Sequence, residues 1–487
     1  MIPPTRSLAV CSALLFALTA AFAGFGCKPG SDTGASPSAS ASSTSAVAPP
    51  DASASPDVLP ADRWSEAGML AEGALYIDRP DFRRSVLTEC LSNPKNTYSR
   101  QRLDSYGLKT KGWDLLPEWT PQSVPVTSAM AADLRAHRPL AVDPATPRLW
   151  DGKRPTTMAG WVALGREVFF GYPLRVEIFM NYALEHPDVG ERVGVRAAAD
   201  GTYPGVRLFT NLEGKSSLGI TCAICHTNVE KGGRVVVGEA RRAFDYGALR
   251  LAYHRDTGVP VDADLARRMR SWGPGRADVT EDDDEDPVAI PDLWGLKHQS
   301  ALTQAGTIKH IGPTALAIRQ ETQLLHSNHQ KIRPPRALAF ALAMYLYSLD
   351  PEAEAGARVA SDAGAPAAKN ASRGGELFAQ RCKTCHSNDA YGGPPVPAER
   401  VGTDRSLAFG GARGTGQYRP PALLRVAAAG PYFHHGAVST LEDVLSPARL
   451  EPGYKGTLGA GAVPGHRFGT DLPSEDRAAL VAFLKTL

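Results

Sequence analysis

Apolar positions recur at helical spacing in four stretches of the chain. Leu338, Leu342, Tyr345 and Leu349 form one stripe along Pro335 to Leu349, and the spacing predicts a helix there. Leu164 to Tyr172 reads as a shorter helix, and Arg373 to Arg381 as another. Leu480, Leu484 and Leu487 share a face of Ser474 to Leu487, where Glu475 and Asp476 suit a helix N-terminus. Alternating β-branched runs are scarce, so the expected fold is mainly α with extended loops. Residues 353–371 are rich in Ala, Ser and Gly and read as a linker. An apolar run from Leu8 to Phe25 follows the single basic residue Arg6 and reads as an export signal, too short for a confident membrane span. The Ser/Ala/Pro stretch over 28–60 cannot bury enough apolar surface to fold and reads as a tether. The resulting layout is a signal over 1–27, the tether over 28–60, an N-terminal extension over 61–160, a first domain over 161–350, a linker over 351–372 and a second domain over 373–487.

Composition narrows the picture. The chain has 487 residues, 53 Lys and Arg against 51 Asp and Glu, and a net charge of +2. That balance gives no footprint for nucleic acid, and no basic amphipathic helix suggests a membrane surface. The one charge run, Glu281 to Asp286, is acidic; a solvated loop is its ordinary explanation, with a docking patch for a basic redox partner or a cation site as alternatives. Two processing sites compete near the start. Ala21-Phe-Ala23 suits simple cleavage. Gly24-Phe-Gly26-Cys27 resembles a lipoprotein signal, which would leave a lipid on Cys27 and tether a periplasmic protein to a membrane.

The cysteines carry the chemistry. Of seven, four lie in two copies of Cys-x-x-Cys-His: Cys222, Cys225 and His226, then Cys382, Cys385 and His386. Two thiols at that spacing form thioethers to the vinyl groups of one haem, and the adjoining His ligates the iron. Two copies imply two covalently bound haem c groups. A zinc ribbon is the rival reading, but its two pairs sit about 15–20 residues apart, and Cys225 and Cys382 are separated far more widely. Neither zinc nor a disulfide within each pair explains the His that follows both. Cys90 is left over and reads as a buried small hydrophobe.

Longer motifs then point to a family. Leu164-Gly-Arg-Glu-Val-Phe-Phe170, Ser217 to Cys222, Arg419-Pro-Pro-Ala-Leu-Leu-Arg425, Gly430-Pro-Tyr-Phe-His-His-Gly436 and Thr440-Leu-Glu442 resemble elements of the bacterial di-haem cytochrome c peroxidase superfamily. That superfamily includes MauG-like enzymes and the RoxA-like rubber oxygenases, and Trp272 to Arg276 and Gly465 to Asp471 resemble elements of the RoxA-like branch. The likeness covers about residues 160–487. It implies two cytochrome c-like domains, a first haem that reacts with peroxide or dioxygen, and a second that exchanges electrons with a small donor or cytochrome. The alternatives are RoxA-like oxygenation and a non-catalytic di-haem electron carrier.

The resemblance also bears on ligands. No Met follows the second motif, so a His/Met haem with a Met from its own domain is excluded there. His434, His435 and His466 are the downstream nitrogen donors; the likeness puts His434 at the haem edge and favours His466 as the sixth ligand. Over the first iron the choice stays open among His254, Met269, His298, His310, His326 and His329. Glu321 lies near the family's catalytic acid, with a solvated helix position as its ordinary reading. The inter-haem Trp of relatives falls at Gln304, leaving Trp294 or Trp272 to serve from elsewhere. The family's calcium site falls at Ala289, Ala429 and Pro431, which lack side-chain oxygens, so calcium is doubtful.

Overall fold

Three helices open the folded part: α1 (Glu66–Asp78), α2 (Pro80–Cys90) and α3 (Thr97–Ser105). Each begins where its sequence supplies a stop for orphan N–H groups. Ser65 accepts from the Gly68 amide, Asn96 accepts from the Ser99 amide, and Pro80 takes a first-turn position of α2. The computed structural model describes residues 62–278, 287–355 and 365–487. The signal, Cys27, the tether, the acidic run and the centre of the linker lie outside the described residues.

The extension shares its core with the first haem-motif half. Tyr76, Leu87, Tyr98 and Tyr106 pack in one cluster with Leu316, Leu325, Leu338 and Phe340. Strand β1 (Ser123–Thr127) lies at one edge of a four-stranded sheet. Helix α4 (Met158–Gly171) comes next, capped by the Thr157 hydroxyl. Strands β2 (Arg175–Val176), β3 (Thr202–Thr210) and β4 (Ser216–Ile220) complete the sheet in the order β1-β3-β4-β2, every pair antiparallel. Val206 faces Ile220 and Leu208 faces Leu218 across the β3–β4 hairpin. This sheet is a correction to the expectation of loops between helices. Gly and Pro within β3 break the alternation that would have marked it.

Helices α5 (Pro313–Ser327) and α6 (Arg336–Ser348) end this half. α6 is buried continuously from Ala337 to Leu346, so it runs through the core and not over it. α4 crosses it at Gly165, where a Cβ would stand 2.0 Å from the Ala341 carbonyl oxygen and 2.6 Å from Tyr345 Cβ. One turn on, Phe169 meets Tyr345 with ring centroids 5.4 Å apart.

The same contact recurs in the second half. α7 (Ala365–Arg381) crosses α8 (Ser474–Leu484) at Gly374, where a Cβ would stand 2.1 Å from the Ala479 carbonyl oxygen and 2.6 Å from Phe483 Cβ. Phe378 then meets Phe483 at 5.3 Å. Gly and Phe four residues apart on one helix thus meet a small residue and an aromatic four apart on the other, twice. Each pair packs backbone to backbone because glycine removes the side chain at the crossing.

Candidate functional site

The first motif is aimed by the sheet. β4 runs straight into Thr221 and Cys222, and the Thr221 amide donates to the Gly205 carbonyl at 3.0 Å. Gly205 has φ +86°, and a Cβ there would strike the Ile224 amide nitrogen at 2.1 Å, so only glycine lets β3 lie against the Cys-x-x-Cys turn. His226 Nδ1 lies 3.1 Å from the Pro291 carbonyl oxygen. That contact fixes the tautomer and leaves Nε2 for iron. Burial lowers the His226 pKa to about 4, with the Arg319 charge acting in the same direction. The imidazole is therefore neutral and able to ligate.

The second motif repeats the arrangement. His386 Nδ1 lies 2.7 Å from the Tyr391 carbonyl oxygen, and burial lowers its pKa. It lines a cavity of about 350 Å³ together with Cys382, Cys385, Phe378, Leu480 and His466. His466 has φ +43°, a left-handed conformation that costs a non-glycine residue. Its amide donates to the Val401 carbonyl at 2.7 Å, and its carbonyl accepts from Arg449 Nη2 at 2.8 Å. Burial, followed by the His386 charge, lowers its pKa to about 4, and its Nδ1 is buried without a hydrogen-bond partner. A neutral imidazole with an unsatisfied ring nitrogen, lining the same largely apolar cavity as the proximal His, suits a flat cofactor in that cavity. His434 lines the cavity as well, stacked on Tyr418 at 4.1 Å. The charge it feels is that of His435, not His386.

Among the described residues no disulfide joins the motif cysteines. Among the described residues no three His, Cys, Asp or Glu side chains gather as a metal site, so the two motifs do not come together as a zinc ribbon would require. Burial pushes the Cys222 thiol up to about 12, and Cys225 and Cys382 up to about 11. Cys90 is fully buried, its thiol pushed up to about 12 by the same cause.

Other sequence-derived positions fall into place by their contacts. Glu321 on α5 is 1% exposed. It accepts from Tyr76 at 2.7 Å and Tyr106 at 2.5 Å, and pairs with Arg336 at 3.3 Å. Its solvated reading does not hold, and its carboxylate faces the helical core. Arg319, two residues away and so on the opposite face of α5, is the charge felt at both Cys222 and His226. His310 has both ring nitrogens engaged, by Gln299 and Tyr347. Met269 is buried, His298 and His329 are exposed, and His254 Nδ1 contacts the Val259 carbonyl. His326 lies on the Arg319 face of α5, two turns further on, edge-on to Trp113 at 5.1 Å.

Between the motifs, Trp294 is 2% exposed, donates to the Val237 carbonyl at 3.2 Å and lines the second cavity. Val237 belongs to the hairpin just after His226. Trp272 packs on Tyr246 at 5.7 Å in the first half. Gln304 donates to the Ala289 carbonyl at 3.2 Å. Arg319, Arg449 and the Pro291 and Tyr391 carbonyls were missed in the sequence. A backbone carbonyl carries no residue signature, and an arginine reveals its role only through what it lies against.

Comparison with known proteins bears on the second half. The family model described as Cytochrome c matches residues 371–487. No curated protein matches the chain. One matching solved structure is that of a MauG-like protein associated with microbial copper homeostasis; it is 18% identical, covers 45% of this chain and 79% of its own, and superposes with a TM-score of 0.30. At that score the likeness carries no argument. The C-terminal part of the chain, residues 371–487, is thus related to cytochrome c, which implies covalently held haem c and a haem redox function.

Proposed function

We propose that the protein is a di-haem c oxidoreductase acting outside the cytoplasm, with a first haem at Cys222, Cys225 and His226 and a second at Cys382, Cys385 and His386. The observation that carries this reading is the repetition. Each half joins a Cys-x-x-Cys-His motif, a proximal His set on a backbone carbonyl, and a helix pair crossing at a glycine. A family resemblance seen in one half therefore extends, by internal likeness, to the other.

Haem iron supplies one-electron chemistry and, where a coordination position is open, reaction with peroxide or dioxygen. The protein's own groups divide the work. His466, lining the second site with His386, would as a second ligand close it to small molecules and suit it to electron exchange with a small donor or cytochrome. At the first site the Arg319 guanidinium offers positive charge, and Pro291 holds His226 in one tautomer. Glu321 belongs to the support of α5 in this reading, not to proton transfer. Trp294, joined to the first motif's hairpin and lining the second cavity, is the aromatic group placed to carry electrons between the sites. RoxA-like oxygenation uses the same layout. A pure carrier would need a protein ligand over the first iron, for which His326 is the best-placed of the six sequence candidates.

The test is electronic absorption and electron paramagnetic resonance of the purified holoprotein, after mass spectrometry has counted two macrocycles. A high-spin component that shifts with cyanide or peroxide is expected. Two low-spin haems indifferent to both ligands in every redox state would reduce the protein to a carrier.

A further inference from the structure

Four arginines line the second cavity, and one of them is buried with no acid among the described residues to balance it. Arg242 is held bidentate by Asp292 at 2.6 and 2.7 Å, Arg381 lies 3.3 Å from Asp471, and Arg400 is exposed. Arg419 is 8% exposed. Its Nε donates to the Thr303 carbonyl at 3.1 Å and its backbone amide to the Gln304 carbonyl at 3.0 Å, while Nη1 is buried and has no partner. Burial lowers its pKa to about 10, which still leaves it charged at neutral pH. A buried cation without a counter-charge is costly, and so is an unmade charged hydrogen bond. Gln299, 7% exposed, lines the same cavity with Oε1 also buried and unpartnered. Turning its amide end for end would present the NH2 group instead, an exchange that oxygen and nitrogen positions permit.

A cation and an amide, both unsatisfied and both facing an apolar cavity, call for a carboxylate that arrives with an apolar body. We propose that Arg419, assisted by Gln299, forms the subsite for a propionate of the second haem. This rests on reading Cys382, Cys385 and His386 as a haem site. The guanidinium neutralises the propionate, which would otherwise stabilise ferric iron, and so raises the reduction potential of that haem.

The experiment uses full-length holoprotein in which mass spectrometry has confirmed two macrocycles. In Arg419→Gln the second haem's one-electron equilibrium should move about tenfold toward ferric, about 59 mV, and Arg419→Lys should recover most of the shift. A merely structural role would lower stability without moving the potential. An unshifted potential in folded Arg419→Gln overturns the proposal. If that variant does not fold, a crystal structure of the unmodified holoprotein decides: a propionate oxygen about 2.7–3.2 Å from Nη1 is expected, and both propionates lying elsewhere overturns it. A missing macrocycle at Cys382 and Cys385 would instead sink the haem reading itself.

Discussion

Single residues separate ligation from support. His466 is held neutral by burial, in a strained backbone conformation fixed from both sides. Replacing it with Ala should convert the second haem from low to high spin, read by paramagnetic resonance; an unchanged spectrum would remove it as a ligand. Glu321 is the opposite case. Its ion pair with Arg336 and two tyrosine hydroxyls tie α5 and α6 to α1, through Tyr76, and to the end of α3, through Tyr106. Glu321→Gln should cost about 3 kcal/mol, the low end for a broken buried pair, because Asp114 still neutralises Arg336. The check is the denaturant midpoint, with the first haem's peroxide reactivity retained. His310 gives a pH prediction. Burial lowers its pKa to about 4, whereas an unfolded His titrates near 6.5. Between those values the unfolded chain takes up a proton that the folded chain refuses. Stability present above about pH 6.5 is therefore lost as the pH falls toward about 4, by about 3 kcal/mol. Denaturation curves of His310→Gln should show a shallower loss over that window.

At the scale of elements, two helix pairs hold the two motifs. Their crossings depend on Gly165 and Gly374, where any Cβ would meet backbone oxygen at 2.0 and 2.1 Å. Gly165→Ala and Gly374→Ala should each destabilise by about 1–3 kcal/mol or more, since overpacking at a backbone contact is relieved only by moving a helix. If each crossing frames its own haem, Gly374→Ala perturbs the second haem's low-spin signal and Gly165→Ala leaves it alone. The stripe over Pro335 to Leu349 marked α6 correctly, with Arg336–Ser348 observed. The Leu164 and Arg373 readings found α4 and α7 but began them late, at 164 and 373 against 158 and 365. The start of α7 lies in the Ala-rich stretch read as linker, and in α4 the boundary is set by the Thr157 cap. The four-stranded sheet escaped because two of its strands pair across long sequence distances.

At the scale of the molecule, the segment Pro291 to Trp294 links the halves. Pro291 accepts from His226, Asp292 binds Arg242, and Arg242 reaches the Ala428 carbonyl at 2.8 Å. Trp294 closes the same segment against the second cavity. Trp294→Phe should slow electron exchange between the haems while leaving each haem's equilibrium spectrum unchanged; flash or stopped-flow reduction measures it, and an unaltered rate would mean that electrons bypass the indole. The sequence by itself determined where the two Cys-x-x-Cys-His motifs stand, which imidazoles adjoin them, and that the fold is largely helical, because thioether chemistry demands a fixed local spacing and helices print their period locally. Only the tertiary structure decided that Glu321 faces a core, that His466 and His386 line one cavity, that Trp294 lines it too while bonded to the hairpin after the first motif, and that Arg419 has no counter-charge among the described residues. Those are relations between residues distant along the chain, and burial and field at a side chain are created by neighbours that no local pattern names.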